Sequence, residues 1–174
     1  LTAGYGLAQS DSFPSQLQAA LRAVGEEVQI INSGVSGDTS AGGRARLEWA
    51  LSLKPDAVIL ELGANDGLRG LDPGQTEANL NEMITEIRAQ ALPVLLTGML
   101  APPNLGQEYS NEFNSLFQRL ANKHGVLFYP FFLEGVVAIS ALNQTDGIHP
   151  NAAGVAEIVK RILPSVRELI GQVR

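Results

Sequence analysis

Cysteine is absent from the 174 residues, which removes disulfides, thiolate metal sites and a cysteine nucleophile. The redox compartment stays open, because either environment tolerates a thiol-free protein. Histidine is nearly absent too. His124 and His149 stand far apart, with no His/Cys cluster at ligand spacing, so neither a structural nor a catalytic metal is implied. Basic residues are few: 12 Lys and Arg against 18 Asp and Glu give a formal charge of −6, and they never gather into a cluster. That disfavours a phosphate-tracking surface, and nucleic acid is not expected as a partner. Long apolar runs are missing. Ala57-Val58-Ile59-Leu60 and Val94-Leu95-Leu96 are strand-length, far short of the roughly 20 residues of a membrane-spanning helix, so stable membrane insertion is not expected. No leader segment is visible, although a chain that opens at Leu1 rather than Met is silent on what precedes it.

What is present is an alternation. Hydrophobic residues make up 45% of the chain, enough for residues 1–174 to bury a core as a single domain. Short apolar runs alternate with longer amphipathic stretches, the pattern of parallel strands joined by crossover helices, so the class is α/β. Leu17, Ala20, Leu21 and Val24 predict a helix over 13–24, stopped by Gly25, with a strand next at 28–31. Asp38 or Thr39 can cap a helix reaching about residue 53, with Leu47 and Leu51 on one face and Pro55 closing it. Residues 57–62 form a strand, apolar apart from Glu61. Leu80, Met83, Ile84 and Ile87 place a helix over 73–90, before a strand at 94–97. Phe113, Leu116, Phe117 and Leu120 place another over 108–123, before a strand at 126–129. Asn151 caps a last helix with Ala156, Val159 and Ile162 on its inner face, and Pro164 is expected to kink or restart it.

Three segments carry chemistry. In Asp146-Gly147-Ile148-His149-Pro150-Asn151 a carboxylate three residues before an imidazole can hold one ring nitrogen, leaving the other free to accept a proton. Gly34-Val35-Ser36-Gly37-Asp38-Thr39 and Gly63-Ala64-Asn65-Asp66-Gly67 each come directly after a predicted strand, where ligands of open parallel sheets sit. A Gly37 amide and the Asn65 carboxamide suit a developing oxyanion, since both donate without adding charge. Each segment taken alone reads more readily as a plain turn. Asp66 is expected to point away and bond backbone amides of its own loop, because an inward carboxylate would repel the oxyanion. Ser36 lacks the G-x-S-x-G elbow and reads as a turn residue. His124, before Gly125 at a helix end, reads as a structural cation favoured by the helix dipole.

Together these blocks resemble those of the SGNH (GDSL) hydrolases. They are most similar to the bacterial multifunctional esterases that act as thioesterase, arylesterase and lysophospholipase, through Ser36-Gly37-Asp38-Thr39-Ser40, Glu61-Leu62-Gly63-Ala64-Asn65-Asp66-Gly67-Leu68-Arg69-Gly70 and the 146–151 block. The resemblance spans nearly the whole chain. It implies a three-layer α/β/α sandwich with a central parallel sheet in flavodoxin-like order. By position it implies Asp146 and His149 as acid and base of a Ser-His-Asp triad, Gly37 and Asn65 as oxyanion donors, and no cofactor. It also implies a monomer acting on small acyl esters or thioesters, periplasmic or secreted. A carbohydrate esterase on the same scaffold is an alternative, as is a binding module without a nucleophile.

In that family the attacking serine lies in a Gly-Asp-Ser-Leu motif after the first strand, and Leu1-Thr2-Ala3-Gly4-Tyr5-Gly6-Leu7 resembles the stretch on the C-terminal side of that serine. Both the serine and the first strand, which would lie between the 28–31 and 57–62 strands, are therefore expected upstream of Leu1. Intact mass decides, since a purified chain of 18.5 kDa would exclude them. Residues 99–109, with Leu100, Ala101, Pro102, Pro103 and Leu105, fit either an apolar acyl channel or a simple connector.

Overall fold

The computed structural model describes residues 1–173, whose contacts divide them into two compact units. One comprises Leu1–Ser36 and Leu133–Arg167, the other Gly37–Phe132 and the chain end from Glu168.

In the second unit three parallel strands, β1 (Val58–Leu60), β2 (Val94–Thr97) and β3 (Leu127–Tyr129), lie in the order β1-β2-β3. Val58 pairs with Val94, and Leu95 with Leu127. This is the order the resemblance implies for the last three strands of the sheet. β2 is central, and all four of its residues are buried, as a strand covered on both faces must be. The apolar stripe of α5 (Pro73–Ala89) buries Leu80, Met83, Ile84 and Ile87. That of α6 (Gln107–His124) buries Phe113, Leu116, Phe117 and Leu120. Both helices pack on β2 and on each other. Each such side chain is worth about 1.5 to 3 kcal/mol on full burial, so periodicity alone selects these faces.

Where β2 ends, Gly98 threads between backbones. Its N–H donates to the Tyr129 carbonyl at 2.7 Å, and its own carbonyl accepts from Phe132 at 3.0 Å. A Cβ there would fall 2.1 Å from the Pro130 carbonyl oxygen, which is backbone and cannot swing aside. Gly98→Ala is expected to destabilise by about 1 to 3 kcal/mol, lowering Tm by roughly 2 to 10 °C, as read by thermal denaturation.

Two departures from sequence expectation occur in this unit. The helix expected from residue 39 to 53 is two helices, α2 (Ser40–Ala45) and α3 (Leu47–Ser52). Arg46 leaves helical geometry between them, and its Nε donates to Asp38 Oδ2 at 2.6 Å. After β1, Gly63 at φ 108° turns the chain directly into a five-residue helix, α4 (Ala64–Leu68), too short for apolar periodicity to reveal.

In the first unit, α1 (Phe13–Ala23) buries Phe13, Leu17 and Leu21 and ends as predicted at Gly25, with φ +84° and the Glu26 N–H returning to the Leu21 carbonyl. Residues 28–31 are not a strand. No described segment forms a ladder with them, and the Ile30 N–H is taken instead by Gln18 Oε1 at 2.7 Å. The last helix, α7 (Ala152–Gly171), runs through Pro164 without restarting. A proline there costs about 3 kcal/mol, but Pro164 is exposed while buried Ile162 and Val166 hold the turns on either side. The inner face is Val155, Ile158, Val159, Ile162 and Val166, and Ala156 lies outside it, exposed. No described helix is long and apolar enough to cross a membrane.

Candidate active site

In the first unit the turn before α7 is held open as a cradle for one imidazole. The Gln144 N–H donates to the His149 carbonyl at 2.8 Å, Asn143 bridges to Pro150, and Gly147 adopts φ +70° to let the loop double back. Asn151 closes the cradle as predicted, its Oδ1 accepting the Gly154 N–H at 3.0 Å in the first turn of the helix.

Asp146 faces three donors across this turn. Its Oδ1 accepts the backbone N–H groups of Ile148 at 2.9 Å and His149 at 3.0 Å, and its Oδ2 lies 2.7 Å from His149 Nδ1. The His149 amide first, then that of Ile148 and the imidazole, pull the carboxyl down to about 2. An ionised carboxylate only accepts, so in the neutral imidazole the proton sits on Nδ1 and the lone pair on Nε2. The imidazole is thus fixed in the tautomer of a general base. Because the folded value lies below the ordinary 3.8, the bonds of this turn contribute fully above that value and are lost as pH falls toward 2. A carboxyl-carbon NMR titration is expected to show Asp146 ionised throughout the range above about pH 4, with its inflection at about 2.

One neighbour of His149 has no counterpart in the sequence reading. The ring of Tyr5 lies 4.8 Å from the imidazole at 41°, and the Tyr5 carbonyl accepts from Gln144 Nε2 at 2.8 Å. Residues this far apart along the chain leave no local signal for their contact.

In the second unit Gly37 sits at φ +81° in an exposed turn, and its N–H meets no acceptor among the described residues. Thr39, rather than Asp38, caps α2, accepting from the Gly42 N–H at 3.3 Å. Asn65 Nδ2 donates to the Asp38 carbonyl at 2.9 Å, which occupies one of its two hydrogens and fixes the carboxamide plane. Arg69 donates to the Gly37 carbonyl at 2.8 Å. The two expected oxyanion donors therefore stand on segments that are hydrogen-bonded to each other.

Asp66 does turn from solvent, but not onto amides of its own loop. It is buried, and it accepts from the backbone and hydroxyl of Ser40 and from Thr76 Oγ1. Long-range donors outcompete local ones here because burial leaves no water to replace them. His124 is no cation by preference. Desolvation, then Lys123 and Arg88, push its pKa below the usual histidine value, and Nε2 lies 2.9 Å from Asn81 Oδ1. Ser36 lies in an exposed turn, as expected. In the 99–109 loop Met99 is buried and Leu100 exposed, with a short 3₁₀ turn at Pro103–Leu105. No three described His, Asp or Glu side chains gather where they could hold a metal.

The parallel α/β sheet and the relatives the chain matches define an ester-hydrolysing enzyme. The chain belongs to the GDSL-like lipase/acylhydrolase (SGNH) family, which it matches over residues 1–156. It is 39% identical to Esterase TesA of Pseudomonas aeruginosa, over 98% of this chain and 85% of the relative. It is 40% identical to an arylesterase of Vibrio mimicus, over 94% and 84%. Thioesterase 1/protease 1/lysophospholipase L1 of Escherichia coli is 38% identical over 87% and 72%. Among solved structures, TesA superposes with a TM-score of 0.91 at 40% identity, covering 97% and 94% of the two chains. The psychrotrophic esterase EstA from Pseudoalteromonas sp., in a structure inhibited by monoethylphosphonate, gives 0.92 at 32% identity over 98% and 94%. The fold is the α/β fold of SGNH hydrolases.

Proposed function

We propose that this protein is a serine esterase that cleaves carboxylic esters and thioesters through an acyl-enzyme, with residues 1–174 acting as one hydrolase domain. The observation that carries the proposal is the Asp146–His149 pair, 2.7 Å apart with the carboxyl held ionised. The relatives' names, which range over esterase, arylesterase, thioesterase and lysophospholipase, support the breadth of substrate.

In this mechanism a serine hydroxyl of the kind the family's Gly-Asp-Ser-Leu motif supplies attacks the acyl carbonyl. His149 Nε2 takes its proton, and Asp146 stabilises the imidazolium that forms. The Gly37 N–H and the second Asn65 Nδ2 hydrogen meet the carbonyl oxygen as it becomes an oxyanion. Proton return from His149 releases the alcohol or thiol. Water then repeats the sequence on the acyl-enzyme, giving the carboxylic acid and free serine. No step requires a metal or cofactor. The molecule acts as a monomer on small acyl substrates in the periplasm or outside the cell.

The test is turnover of short-chain nitrophenyl esters and acyl thioesters by protein carrying the upstream serine. Hydrolysis of both, abolished with one phosphonate bound per chain, supports the reading. Turnover that persists after phosphonate treatment, or ester binding without hydrolysis, overturns it.

A further inference from the structure

The carboxylate of Asp66 is a buried, multiply hydrogen-bonded group in the second unit that the mechanism does not use. It is 2% exposed. Oδ2 accepts the Ser40 N–H at 2.8 Å, while Oδ1 accepts Ser40 Oγ at 2.5 Å and Thr76 Oγ1 at 3.2 Å. Ser40 Oγ in turn accepts from Asn79 Nδ2 at 3.0 Å, and Ser40, Thr76 and Asn79 are themselves buried. A buried carboxylate with one partner would be costly. Here it has three donors, so the network is satisfied and stiff.

The position of this network matters. Asp66 is the residue after Asn65, and Ser40 is three residues after Gly37. Two outer bonds, Asn65 Nδ2 to the Asp38 carbonyl and Arg69 to the Gly37 carbonyl, join the same two segments, but both lie nearer solvent. The buried link is Asp66 to Ser40. Helix α4 has only five residues, so its own hydrogen bonds cannot fix the direction of Asn65. Asp66 therefore supplies the buried part of what holds the Gly37 amide at its distance from the Asn65 carboxamide.

Resting on the oxyanion assignment proposed above, we infer that Asp66 is a positioning residue that locks the 37–40 turn to α4 and so fixes the two oxyanion donors at their working distance. It touches no substrate. Both carboxylate oxygens are turned onto Ser40 and Thr76. Asp66→Asn keeps the shape but replaces one carboxylate oxygen by an NH₂ group, which faces either the Ser40 N–H or the Ser40 and Thr76 hydroxyls, so at least one donor loses its acceptor and the clamp loosens. A displacement of an ångström at a catalytic group costs on the order of 10²-fold, so kcat should fall by about 10- to 10²-fold with KM within about twofold.

The experiment compares Asp66→Asn, Asn65→Ala and the double variant in protein carrying the upstream serine, with kcat expressed per phosphonate-titrated active site so that unfolded chains do not count. Asp66 acting through Asn65 predicts that Asp66→Asn costs several-fold less in the Asn65→Ala background than alone, whereas a merely structural role predicts equal factors. Equal factors, or an Asp66→Asn enzyme with undiminished kcat beside a crippled Asn65→Ala, overturn the positioning role alone. Undiminished turnover in Asn65→Ala overturns the oxyanion assignment and the positioning role with it. Should Asp66→Asn fail to fold, Ser40→Ala, which removes only the hydroxyl donor, carries the same cycle with the same outcomes.

Discussion

Replacing His149 by alanine is expected to lower kcat on a nitrophenyl ester by about 10⁴- to 10⁶-fold, with circular dichroism and Tm nearly unchanged. The size reflects the role. His149 is the group proposed to move the proton in both half-reactions, and no other imidazole is available, since His124 is engaged with Asn81 and held toward its neutral form. The small structural effect reflects the environment. The side chain is 31% exposed, and its ring is partnered by Asp146 and Tyr5. The backbone bonds that shape the turn, Gln144 to the His149 carbonyl and Asp146 to the His149 N–H, survive truncation. Asp146→Asn should cost nearly as much, about 10⁴-fold, because its carboxamide can donate to Nδ1 and so select the tautomer with the proton on Nε2. A His149→Ala enzyme within about tenfold of the parent would end the general-base assignment.

Truncating Asn65, the proposed oxyanion donor, to alanine is expected to cost about 10²- to 10³-fold in kcat, or roughly 2.7 to 4 kcal/mol of transition-state stabilisation, with KM little altered. The asymmetry between kcat and KM arises because the donor meets full negative charge only in the tetrahedral species. Asn65→Ala also deletes the bond to the Asp38 carbonyl, worth about 1 kcal/mol, so a small fall in Tm should accompany the kinetic loss. Steady-state kinetics with active-site titration separates the two. A proportionate rise in KM with kcat intact would instead assign Asn65 to ground-state binding.

The helices whose apolar residues recur at three and four positions, α1, α5 and α6, were legible to within a residue or two, because a buried stripe imposes its period on composition. So were the last three strands, whose apolar runs are bounded by turn residues. Residues 28–31 mark where local pattern stops deciding. Val28 and Ile30 suit a strand, but a strand exists only by pairing, and among the described residues they have no ladder partner. Pro164 shows the opposite failure. The local rule breaks the helix, and packing of Ile162 and Val166 keeps it whole.

Residue type and short spacing determined by themselves that Asp146 can hold His149, that Asn151 starts the last helix, and that Gly37 and Asn65 are suitable donors. All of these involve groups within a few residues or intrinsic to one residue. Only tertiary structure decided that Asp66 serves Ser40 and Thr76, that Tyr5 faces His149, and that Asn65 is tethered to Asp38. Those pairs are separated along the chain by turns and whole elements. Which donor a buried acceptor finds there is settled by the packing that excludes water, and no local pattern encodes it.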